Sequence, residues 1–457
     1  MKRFAWRWLA ASSLLLAALA ANAETRPQYG GTLHVTMHAA PLTLDPADPA
    51  QADSFGRRNL SWLLFDKLVA TNEAGRTRPG LAESWEALKG NQRWIFRLRH
   101  GVTFHDGTPL SAEIAAASLR YANPSWTVMA QNDTVVIDCK SADPELLAEL
   151  SLPRNSIVKR DSANAVEGTG PFSAVEWQPG KKLKVSAVEN YWGGRPFLDG
   201  IEIEMGQDYR AQVTALSVGK ADLIEVATEQ ARRVSQEGMR MASSAPLELL
   251  AIVFSRDVSS PEEKMLREAL ALSVERESIR SVLLQGVGQP AGSLLPAWMS
   301  GYGFVFSSSA ALPKARQLRS QAHNAPTWKL GYDPGDAMCR LLAERVALNA
   351  RDAGLSLQPT LQSNADVRLA RVPLASFDSW ISLDEMSAQN NMPALKTRSG
   401  TVEELYASEQ AALATERVIP LFHLPVTYAS GPRLRSWSLR ADGSWELGNA
   451  WLEAAAP

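Results

Sequence analysis

Residues 79–113 read PGLAESWEALKGNQRWIFRLRHGVTFHDGTPLSAE. Trp94, Phe96 and Leu98 alternate with Ile95, Arg97 and Arg99, the period-2 pattern of a strand with one buried face. His100-Gly101 ends that run. A second extended run over 102–105 stops at Asp106-Gly107, where glycine tolerates the positive φ of a tight turn. Ser111 is placed to cap an Ala-rich helix from Ala112 to about Arg120, and Glu113 in its first turn complements the helix dipole. The block therefore predicts strand, turn and capped helix in immediate succession.

Outward from this block the pattern keeps switching between strand and helix. Residues 32–38 (TLHVTMH) alternate as a half-buried strand, and Pro41, Pro46 and Pro49 force an irregular crossing. A helix is expected over 59–69, a strand over 134–139 and a short helix over 144–152. Gly168-Thr169-Gly170-Pro171-Phe172 describes a tight chain reversal; no helix starts there, so a phosphate cradle is excluded on context. Trp177, Pro179 and Gly180 suit a hairpin, and Asn190-Tyr191-Trp192-Gly193-Gly194-Arg195-Pro196 follows. Farther on, 327–332 reads as a strand and 337–352 (AMCRLLAERVALNARD) as an amphipathic helix stopped by Gly354. Extended runs over 355–361 and 367–372 complete a βαβ unit, whose crossover should be right-handed.

Composition bounds the function. The chain has 457 residues, 45% hydrophobic and 21% charged, enough for a sizeable core and too many for one ordinary domain. Forty-seven basic and 49 acidic residues leave a net charge of −2, which argues against a nucleic-acid partner. Lys2, Arg3 and Arg7 precede a short apolar run over 9–20, and Ala21-Asn22-Ala23 supplies a small-residue cleavage site. These predict an exported protein starting at Glu24, soluble in a periplasm and without a lipid-carrying cysteine. Cys139 and Cys339 read as two buried free thiols. Catalytic chemistry finds no footing. His34 and His38 share a strand face without a third ligand, His105-Asp106 is a solvated turn, and His100, His323 and His423 have no partner motif. No cofactor and no metal are expected.

The block at 79–113, the G-T-G-P-F turn, the W-x-P-G hairpin and the N-Y-W-G-G-R-P segment occur in an order that resembles the family 5 extracellular solute-binding proteins, the peptide-binding components of ABC importers. Residues 266–276 (LREALALSVER) and 287–296 (VGQPAGSLLP) are similar to later family segments, Glu275 standing where an aspartate is usual. The resemblance implies an α/β, type II periplasmic-binding-protein fold: two lobes with mixed sheets around an interlobe cleft. It divides the chain into a signal peptide (1–23), a first lobe (24–246), a second lobe (247–417) and a return segment to the first lobe (418–457). The crossings are expected at 247–255 and 418–425, short apolar runs suited to hinge strands. Such proteins bind by hinge closure and dock on a membrane permease.

The same resemblance implies a monomer that captures a small peptide or similar polar solute between the lobes, where concave sites usually form. A non-transport chaperone or sensor on the same scaffold is the other reading. Peptide-binding members hold the ligand amine with an aspartate in a W-x-x-D segment, and the matching region here is 366–380 (DVRLARVPLASFDSW). One alignment puts the amine position at Ala375 and Asp378 at a later D-P position; another places Trp380 on the family tryptophan and leaves Asp384 one residue late. The expected ligand-facing residues are His38, Ala39 and Leu42 after the first strand, Arg371, Ser376, Asp378 and Trp380 in the second lobe, and His423 at the return. Arg371 is singled out because a cleft arginine can clamp a carboxylate bidentately.

Overall fold

A computed structural model describes residues 26–72, 75–161, 165–362 and 364–454; the signal peptide expected over 1–23 lies outside the described residues. The opening block folds largely as its pattern requires. Trp94, Phe96 and Leu98 are buried on the strand Arg93–Leu98. That strand lies inside an antiparallel sheet ordered Ala82–Leu88, Arg93–Leu98, Thr134–Asp138, Thr127–Gln131. The helix Ala112–Ala122 covers it, and the Ser111 hydroxyl accepts the Ile114 N–H at 3.3 Å. The expected extended run over 102–105 is instead a turn with one bridge, Thr103 to Pro109. Gly107 supplies its φ of +82°.

The helix expected over 59–69 runs Phe55–Leu64. Ser54 accepts the Arg57 N–H at 3.2 Å and starts the helix early. Beyond Phe65 the chain is extended, because Lys67 bridges to Ser156 and Val69–Thr71 pairs with Thr77–Pro79. The G-T-G-P-F glycines serve close approach more than reversal. A Cβ at Gly168 would sit 1.8 Å from the Leu64 carbonyl oxygen, and one at Gly170 would sit 2.5 Å from the Leu64 carbonyl carbon.

An 11-stranded mixed sheet organises the whole molecule. Its path is Phe172–Gln178, Lys182–Ala187, Gly200–Glu204, Thr32–Thr36, Leu223–Glu225, Val418–Ser430, Arg240–Phe254, Val367–Pro373, Thr327–Gly331, Ser356–Thr360, with Gln289–Pro290 paired off the path. Two long strands, Arg240–Phe254 and Val418–Ser430, lie side by side antiparallel in the middle, Leu249 opposite His423. Strands on one side of this pair belong to residues 26–239, and those on the other to residues 255–417. The predicted βαβ unit forms there: Thr327–Gly331 pairs parallel with both Ser356–Thr360 and Val367–Pro373, and the helix Ala337–Asp352 covers them. Each side buries its own apolar clusters, one around Leu33, Phe172 and Ile201, the other around Leu270, Leu342 and Val346. These are the two lobes. Among the described residues no helix is long and apolar enough to cross a membrane.

Candidate functional site

Between the lobes two cavities of about 270 and 470 Å³ adjoin and share Pro153 and Ala375. The smaller is walled by Asp48 and Gln51 of the proline-rich crossing, by Arg57 in the first turn of the helix Phe55–Leu64, by Arg154, and by Glu385 and Gln389 from the second lobe. Arg57 shapes that crossing. Its guanidinium donates to the carbonyls of Gln51, Ala52 (3.2 Å) and Asp45 (3.0 Å), so the loop wraps around one side chain. The larger cavity presents Arg76, Thr77 and Glu145 from the first lobe, Ser376 and Asp378 from the second, and Asp442 from the return. Partial burial, and then the neighbouring Asp378, push the Glu145 carboxyl up to about 7. Asp143 behind it is also raised, chiefly by burial.

Two ion-pair groups hold the cleft walls together. In the first, the buried Glu149 carboxylate takes both Arg154 and Arg398; Arg154 reaches Glu385 at 2.7 Å and Arg398 reaches Asp384 at 2.9 Å. The second lies over the central strands. His38 Nε2 is 2.8 Å from Asp333 Oδ2 and Nδ1 is 3.3 Å from the Gln207 carbonyl, with the ring stacked 4.8 Å from Tyr209. Burial works against protonation of His38, but the Asp333 hydrogen bond and charge, aided by Glu225, raise its pKa above the ordinary value. Gly335 is required here, since a Cβ would lie 2.6 Å from His38 Cε1. Arg371 is paired within its own lobe: it donates to Glu248 at 2.7 Å and to Asp336 at 2.7 and 3.1 Å.

Of the sequence-predicted residues, Ser376 and Asp378 line the larger cavity. Asp378 also caps the helix Ser379–Gln389 through the Ile381 N–H at 2.9 Å. His38 and Arg371 sit in the ionic group, and Arg371 has its guanidinium committed to two carboxylates instead of standing ready for a ligand's. Ala39 packs toward Gly56, and exposed Leu42 lies against Gly180. Trp380, 6% exposed, packs among Leu374, Leu383 and Met386, and His423, 3% exposed, meets the Leu294 carbonyl at 3.0 Å. Both side chains are core, and burial pulls His423 down to about 4. Of the cysteines, Cys339 is buried and its thiol donates to Asp336 at 3.2 Å, whereas Cys139 is half-buried; both are free. Sequence reasoning passed over Arg57, Glu145, Glu149, Arg154 and Arg398, which carry no motif. Asp336 could have been found, because it precedes the helix Ala337–Asp352 as an N-cap.

The family described as bacterial extracellular solute-binding proteins, family 5 (middle), matches residues 76–397. The chain belongs to this family. It is similar to the nickel-binding protein NikA of Staphylococcus aureus, 26% identical over 244 residues, covering 50% of this chain and 49% of the relative. To the oligopeptide-binding protein AppA of Bacillus subtilis it is 26% identical over 301 residues, covering 58% and 54%. With heme-binding protein A of Haemophilus influenzae it shares 26% over 379 residues, covering 70% and 69%. The chain thus spans about half the length of the first two relatives. In solved structures, AppA in complex with a nonapeptide superposes with a TM-score of 0.79 at 18% identity, covering 94% of this chain and 100% of that one. NikA in complex with Ni(L-His)2 gives 0.78 at 17% identity, covering 92% and 100%. This family 5 member therefore has the two-lobed α/β fold of those proteins.

Proposed function

We propose that this family 5 protein captures a small polar solute in its interlobe cleft, closes its lobes on it, and presents the closed form to the permease of an ABC importer from the periplasmic side. The observation that carries the reading is the pair of adjoining cavities walled by both lobes and clamped by ion pairs between them. Relatives named for oligopeptide, nickel and heme binding support solute capture without choosing the solute. The larger cavity favours a solute with a positive group, such as the amino end of a small peptide. Its described lining has the carboxylates Glu145, Asp378 and Asp442 against the one cation Arg76. A cation there offsets the burial, and the repulsion from Asp378, that raise the Glu145 carboxyl to about 7.

A thermal-shift screen of the mature protein with di- and tripeptides tests this, since a ligand of the folded form raises the melting temperature by mass action. A peptide hit with N-acetylated peptides inactive is the expected result. Hits confined to anionic or neutral solutes would overturn the charge assignment. Affinity for the cationic solute should also rise with pH through about 7, because Glu145 must lose its proton to pair with it. Calorimetry in two buffers of different ionisation enthalpy reads that proton release directly.

A further inference from the structure

Away from the interlobe cleft, a cavity of about 410 Å³ is walled by first-lobe and return-segment residues, among them Trp62, Lys67, Trp192, Arg440 and Trp445. Lys67 is 3% exposed. Among the described residues its ammonium has neither a hydrogen-bond acceptor nor an ion pair; its contact is the face of Trp62, 3.8 Å from the ring centroid. The Arg440 guanidinium lies 4.0 Å from the same centroid, so two cations share one indole. The carboxylates nearby are already engaged. Asp66 accepts from Thr169, Tyr191 and Trp192 at 3.1, 3.0 and 2.7 Å, Asp442 accepts from Trp62 at 3.1 Å, and Glu446 pairs with Arg440 at 2.7 Å. On the same cavity the Trp445 indole N–H, in a residue 2% exposed, also has no acceptor among the described residues. Buried donors are normally satisfied; the Trp445 N–H is shut away without a partner among the described residues, and the Lys67 ammonium looks only into the cavity for an acceptor.

We propose that this cavity is a second ligand site that takes a small organic monocarboxylate with a flat apolar body, anchored by the Lys67 ammonium between indole walls. The carboxylate supplies the acceptor that the protein withholds from Lys67, and Trp62, Trp192 and Trp445 cover the apolar body. Arg78 at the exposed rim adds positive potential at the mouth. Burial draws Lys67 down to about 7; Asp442 and Asp53 raise it, and Arg440 and Arg58 lower it. Above that pH the anion must bind together with a proton, and Asp66 on the same wall, raised to about 6 by burial, ionises over the same range and repels it, so affinity should fall at least tenfold between pH 6 and pH 8.

Benzoate is the probe, with acetate and inorganic phosphate beside it, followed by tryptophan fluorescence and calorimetry on the mature protein. Saturable benzoate binding at pH 6, weaker at pH 8 and at least tenfold weaker in Lys67→Met, is expected. The melting temperature of the empty variant should be unchanged or higher, and its binding of any cleft solute unaffected. Absence of saturable benzoate binding at pH 6, phosphate binding in its place, or equal benzoate affinity in a folded Lys67→Met protein would overturn the proposal. If that variant does not fold, an affinity independent of pH in the native protein does so.

Discussion

Single side chains divide into those that line the cavities and those that hold the cavity walls. Asp378 lines the larger cavity and caps a helix, and the two duties can be separated. Asparagine caps a helix as well as aspartate, so Asp378→Asn should leave thermal stability within about 0.5 kcal/mol while removing the charge. We expect its affinity for a cationic solute to drop about tenfold, read by calorimetry, with the melting curve unmoved. Glu149 is the contrasting case. Its carboxylate is buried between Arg154 and Arg398, so Glu149→Gln leaves two guanidiniums facing one neutral group. A loss of about 3 kcal/mol in urea unfolding is expected. Little of this was legible in the sequence. The 371–380 segment reads as a candidate, and within it Ser376 and Asp378 line the larger cavity. However, Trp380 and His423 look polar-tipped and functional in one dimension and prove to be packed core in three. Arg371 looked like a ligand clamp because its partners, Glu248 and Asp336, lie far away along the chain.

At the scale of elements the sequence was a better guide, because periodicity is a local property. The helix Ala337–Asp352 and the strand Arg93–Leu98 follow directly from their apolar spacing. Errors arose where a long-range contact overrode a local pattern. The run over 59–69 is apolar enough for helix, yet bridging of Lys67 to Ser156 takes the chain out of it. The same holds for the G-T-G-P-F turn, whose glycines answer to the backbone of a helix about a hundred residues earlier. Gly168→Ala should force that backbone apart and cost about 2–3 kcal/mol, measured as a drop in the urea midpoint. Gly107→Ala, with open space around it but φ of +82°, should cost only about 1 kcal/mol.

For the molecule as a whole, the pairing of His38 with Asp333 makes lobe contact sensitive to pH. The His38 pKa is raised in this arrangement, so the pair's contribution is fully present below about 6.5 and is lost as pH rises through the raised value. Energy transfer between dyes on the two lobes should therefore report a more closed empty protein at pH 5.5 than at pH 8.5. His38→Gln should flatten that dependence. The central strand pair has a different consequence. Val253 lies directly opposite Val418, so the long excursion between them departs and returns on one rung of the ladder, on strands about 4.8 Å apart. In topological terms the second lobe is a detour that starts and finishes at the same address. Shortening, lengthening or replacing it changes the size of a loop and leaves the order of the remaining first-lobe strands untouched. The residues of the second lobe can thus diverge in sequence and length without rethreading the first.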